Sequence, residues 1–171
     1  MRLLTLCCAL PLLVGSLPGR ADDFVFEVAS PKFKVTLPGI PRMKMQTHPL
    51  NASQPHLRYL GSEGPFTVSV ITPTAAAGMT ALECASSTVR SMAARPGFPP
   101  PDQVLKTRLD DNTFAAMYAA PLGNLVQLHA HFLSAAGGTH CVEVHASKVS
   151  DSVDDVDPWF KGFSAARIES R

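Results

Sequence analysis

Four side chains toward the end of the chain have the types and spacing for metal chemistry. His129 and His131 stand two apart in an alternating run, Leu125 to Leu133. Glu143 and His145 stand two apart in another, Thr139 to Lys148. In a strand, residues i and i+2 project to the same face. Ser134-Ala135-Ala136-Gly137-Gly138 joins the two runs as a hairpin. A register pairing His131 with Cys141, His129 with Glu143 and Gln127 with His145 puts all four on one face. Phe132, Ala130, Leu128, Val142 and Val144 then share the other, and a one-residue slip would mix the two sets. Directly opposed residues have Cβ atoms about 4.5–5.5 Å apart. Neutral imidazoles and a carboxylate suit Zn or Cu, and a three-residue shell leaves a position open. Cys141 falls on the same face as a further donor. The competing reading is a solvated polar strand face, since no His-Glu-x-x-His spacing is present.

Other chemistry is harder to build. Ser, His and Asp all occur, but no Gly-x-Ser-x-Gly elbow is present, so a hydrolase is the third reading. No Gly-rich phosphate loop appears. Asp154, Asp155 and Asp157 lack the Gly and terminal Glu of a calcium loop, and fit a helix N-terminus better. Asn51-Ala52-Ser53 is a glycosylation sequon, relevant only in a eukaryotic secretory route.

The elements that must position these residues follow from periodicity. Phe24 to Val28, Phe33 to Leu37, Leu57 to Leu60 and Phe66 to Val70 read as strands, with turns at Pro38-Gly39 and Gly61 to Pro65. Thr80 to Arg95 reads as a helix opened by the capping box Thr80-Ala81-Leu82-Glu83. Its apolar stripe is Leu82, Ala85, Val89 and Met92, and Pro96-Gly97 ends it. Residues 96–102 form a stiff connector rich in proline. Val104 to Leu109 and Thr113 to Ala119 are further strands around the turn Asp110-Asp111-Asn112. Val153, Val156, Phe160 and Phe163 mark a last helix. Pro158 fits only its first turn, with Asp157 as cap. Trp159, Phe160 and Phe163 are expected in the core, and Arg167-Ile168 adds a short final strand. Consecutive hairpins make a mostly antiparallel sheet covered by two helices, an α+β fold and not a doubly wound one.

Length and charge narrow the classes. The chain has 171 residues and a formal net charge of +1, which offers no global attraction for nucleic acid. Arg2, the apolar run Leu3 to Val14 and the small residues of Gly19-Arg20-Ala21 read as a signal peptide, 1–21, ahead of a single domain, 22–171. That run is too short for a span of about 20 residues, and no other approaches it. With Arg2 and Arg20 gone, basic residues fall from 15 to 13 against 14 acidic ones.

The four cysteines become two, and in an oxidising compartment Cys84 and Cys141 invite one disulfide. Two separate buried thiols are the alternative. The helix stripe opposes the bridge. If it packs on the apolar hairpin face, Cys141 points away, and a bridge needs Cα atoms within about 7 Å.

Phe33-Lys34-Val35-Thr36-Leu37-Pro38-Gly39-Ile40-Pro41 resembles the opening F-x-V-x-L-P-x-x-P of exported bacterial PsbP-like domains. Trp159-Phe160-Lys161-Gly162-Phe163 is similar to their closing aromatic-x-x-small-Phe helix. The resemblance covers most of residues 24–169 as order and spacing. It implies an antiparallel sheet sandwiched between helices, shared with DcrB-type lipoproteins and a Ran-binding import factor, and a non-enzymatic binding role. It carries over no catalytic residue. The expectation is therefore a periplasmic or secreted protein that binds another protein of the cell envelope, for instance as a toxin inhibitor or immunity protein, without a cofactor. Zn or Cu binding through His129, His131, Glu143 and His145 is the alternative.

Overall fold

The computed structural model describes residues 23–47, 57–73, 78–95, 98–135 and 140–171. The expected signal peptide, the sequon and the Pro96-Gly97 helix stop lie outside these residues. In chain order the elements are β1 (Phe24–Ala29), β2 (Lys32–Leu37), β3 (Gln46–Thr47), β4 (Leu57–Glu63), β5 (Phe66–Ile71), α1 (Ala81–Ala93), β6 (Leu105–Arg108), β7 (Phe114–Leu122), β8 (Leu125–Ser134), β9 (Val142–Ser150), α2 (Val156–Gly162) and β10 (Arg167–Ser170).

The fold is α+β, and every strand pair is antiparallel. Its strands form two sheets where one was expected. β1 and β10 flank β2 in a three-stranded sheet. The other seven follow the order β3-β4-β5-β9-β8-β7-β6. The chain leaves β5 through α1, builds the meander from β6 to β9, and returns to pair β9 with β5.

Alternation explains how the sheets stack. Phe33, Val35 and Leu37 of β2 are fully buried and meet Val68, Val70, Ala130, Phe132, Val142 and Val144 of the large sheet in one core. Period-2 strands with one apolar face can bury it only against another such face. The second helix seals this layer. Phe163 lies edge-on to Phe132 at 5.0 Å and to Trp159 at 4.8 Å. Val153 departs from the expected stripe and is exposed. α2 begins at Val156, one residue before the expected Asp157 cap, with Pro158 still in its first turn.

Other local expectations shift for steric reasons. Gly61 does not open a turn but lies inside β4, and the turn falls at Gly64, whose φ is +55°. A Cβ at Gly61 would stand 2.6 Å from Met45 Sδ, so the methionine occupies the space a side chain would need.

The first helix sits on the opposite face of the large sheet, against β7 and β8. Its capping box forms as expected, with Thr80 N donating to Glu83 at 2.7 Å and Glu83 N to Thr80 Oγ1 at 3.3 Å. Its buried residues are Ala81, Cys84, Ala85 and Met92, while Leu82 is 56% exposed. The helix is thus turned from the expected stripe, and this resolves the cysteine conflict. Cys84 faces the sheet and is bonded to Cys141, with Cα atoms 5.6 Å apart.

Candidate metal centre

The central hairpin, β8 with β9, presents the histidines, but in another register than expected. His131 pairs with His145, Leu133 with Glu143 and His129 with Ser147. The partner of His131 moves four residues along β9, from Cys141 to His145. An even slide keeps every side chain on its face, so the grouping survives while the pairings change. Cys141 lies beyond the ladder and is committed to Cys84. It is not available as a ligand in this state.

Four strands contribute to this face. One row runs Ala116, His131, His145, Ser69, and the next runs Tyr118, His129, Ser147, Thr67. The rings pile up across the sheet. His131 and His145 stack at 4.2 Å between centroids, and Tyr118 and His129 at 4.7 Å. Phe98 meets Tyr118 edge-on at 5.0 Å. Tyr118 and Phe98 were not singled out from the sequence. Tyr118 shares the face through the β7 register, which becomes visible only once β7 and β8 are paired.

The hydrogen bonds divide the three histidines into two kinds. His131 is 6% exposed, and its Nδ1 lies 2.9 Å from Glu143 Oε1. The carboxylate can only accept, so Nδ1–H donates. In the neutral ring that leaves a lone pair on Nε2, which is buried and has no protein hydrogen-bond partner. Such an acceptor is unfavourable unless something completes it. His129 Nδ1 and His145 Nε2 lie 3.0 Å apart and share one N–H. One ligand nitrogen from each of His129, His131 and His145 falls within 4.8 Å of the others.

Burial, and then the neighbouring His131 charge, lowers the pKa of His129 from 6.5 to about 4. His145 is pushed well below 6.5 by burial first, then by the charges of His131 and His129. Both rings are neutral at pH 7, the form that coordinates metals. Tyr118 is raised above 10, first by burial and then by the Glu143 charge, so it remains a phenol.

Of the four sequence candidates, three therefore converge as nitrogen donors. Glu143 stands behind His131 as its hydrogen-bond acceptor. The nearly parallel rings must turn about Cβ–Cγ to aim three lone pairs at one ion, and the ring donating in the His129–His145 bond must move its proton to its other nitrogen.

Among the described residues, no helix is long and apolar enough to cross a membrane. No protein-family model and no curated protein matches the chain.

Proposed function

We propose that the chain is an exported metal-binding protein that holds one borderline divalent ion, Zn²⁺ or Cu²⁺, through His129, His131 and His145. The observation that carries this reading is the buried, unpartnered Nε2 of His131, on a face where one ligand nitrogen from each of His129, His131 and His145 falls within 4.8 Å of the others. Glu143 supports it as an outer partner. A ligating histidine usually gives its other N–H to a carboxylate, which fixes the tautomer and raises the basicity of the ring. Three nitrogens without a thiolate or carboxylate in the inner shell favour Zn²⁺ or Cu²⁺ over Mg²⁺ or Ca²⁺.

The test is calorimetric titration of the metal-free protein with Zn²⁺ and, separately, Cu²⁺. The expected result is one ion per chain, lost in His131→Ala. Binding that persists in His131→Ala, or none in the parent, would overturn the reading.

A second reading, engagement of an envelope protein, draws on a cleft of about 390 Å³ between α1 and the β6–β7 edge, lined by Leu82, Val89, Phe114 and Leu133. Half of Leu82 is uncovered there. Crosslinking in the envelope through a photoreactive residue at position 82 tests it. A defined adduct supports it, and no adduct counts against it.

A further inference from the structure

Three sulfurs meet at the other end of the same sheet face. Cys84 on α1 and Cys141 just before β9 are bonded, and Met79 Sδ lies 3.6 Å from Cys141 Sγ. Cys84 is fully buried and Cys141 nearly so, while Met79 is half-buried.

Two anchors hold this cluster independently of the S–S bond. The Thr80–Glu83 capping box fixes the start of α1, directly after Met79 and ahead of Cys84. Cys141 N donates to Pro73 O at 3.1 Å, which fixes the other cysteine. Breaking the disulfide therefore leaves its two sulfurs and the thioether facing one another.

We infer that the reduced chain holds a second metal site, in which Cys84, Cys141 and Met79 bind one Cu⁺. A dithiol reductant opens the disulfide by thiol–disulfide exchange. It gives two electrons and two protons to the cysteine sulfurs and closes to its own disulfide. The incoming Cu⁺ then displaces both thiol protons and binds two thiolates and one neutral thioether. Thiolate and thioether sulfurs suit soft metals, Cu⁺ and Zn²⁺ among them.

The dimensions suit three-coordination. With metal–sulfur bonds of about 2.3 Å, trigonal sulfurs stand roughly 4 Å apart. Met79 and Cys141 are already near that spacing. The cysteines reach it by rotating about their side-chain bonds, since their Cα atoms are 5.6 Å apart. Structural Zn²⁺ sites take four ligands, and this cluster supplies three sulfurs.

Along β9 the residues Cys141, Glu143 and His145 alternate on one face. The protein would thus carry sulfur donors for monovalent copper beside nitrogen donors for a divalent ion. The sulfur site stands on its own geometry and does not depend on the histidine site.

The test uses the His131→Ala/His145→Ala chain, so that the three-histidine site does not contribute. Residues 22–171 are reduced with a phosphine under anaerobic conditions, and two free thiols, Cys84 and Cys141, are counted. Cu⁺ is then supplied as its coloured bicinchoninate complex. The expected result is one Cu⁺ taken per reduced chain and none per oxidised chain. Met79→Leu should weaken capture by more than the roughly tenfold that follows loss of an outer partner, with the thiol count unchanged. Far-ultraviolet circular dichroism reports whether the reduced chain stays folded. A reduced chain that leaves all copper with the chelator overturns the inference. So does capture indifferent to Met79→Leu, because unfolded thiols would bind copper without the methionine.

Discussion

His131 Nδ1 and Glu143 Oε1 lie 2.9 Å apart across β8 and β9, both largely hidden from solvent. The pair faces the opposite way from the open lone pair of His131 Nε2, so it acts as a brace. Replacing Glu143 with Gln keeps the shape but lets the amide present its NH₂ group to Nδ1, which favours the wrong tautomer. Glu143→Gln should lower Zn²⁺ affinity by about 10–100-fold without changing the stoichiometry. Titration calorimetry reads both. Unchanged affinity would mean that His131 does not use its Nε2 on the ion.

The histidines also make the metal-free protein sensitive to acid. In the unfolded chain His129 and His145 take up protons below about pH 6.5. In the folded chain His129 holds out to about 4 and His145 stays neutral well below 6.5. Through that window the unfolded state binds more protons, so stability rises with pH and is complete above it. The urea midpoint should fall as the pH is lowered from 7 to 4.5, and His129→Gln should flatten the fall. A midpoint constant over that range would mean the rings are not buried as neutral groups.

The Cys84–Cys141 bridge closes a large loop, with the residues 57 apart in sequence. Removing such a link typically destabilises by about 2–5 kcal/mol. The Cys84→Ser/Cys141→Ser protein should show that loss in denaturant unfolding. A loss near zero would mean that helix packing alone fixes α1.

Two substitutions separate the buried from the uncovered apolar residues. Phe132 is fully buried and should lose about 3–5 kcal/mol as Phe132→Ala. Leu82 is half-exposed, so Leu82→Asp should shift stability by no more than about 0.5 kcal/mol. A collapse on Leu82→Asp would place the helix the other way round.

How much of this was legible in the chain depended on which periodicity carried it. The histidine grouping was readable because period-2 sidedness survives any even slide of β9 past β8. The register was not, because the length of the connection between His131 and Cys141 leaves the partner of His131 free by such slides. The Leu82 stripe misled for a related reason. Ala81, Cys84, Ala85 and Met92 also share a helical face, and spacing alone does not say which face meets the sheet. In the folded chain the second of these faces meets the sheet, and Cys84 on it is bonded to Cys141. The capping box needed no such help, since it depends only on residues three apart. The pairing of β10 with β2 joins residues more than a hundred positions apart, and no local pattern encodes it.

The central claim is that His129, His131 and His145 form a metal site. The most direct measurement is elemental mass spectrometry of the untagged protein, purified from an expressing bacterium without chelator. The account predicts close to one Zn or Cu per chain, and none in a folded His129→Ala/His131→Ala variant. A folded parent protein that carries no metal and takes none up from added Zn²⁺ or Cu²⁺ would contradict it.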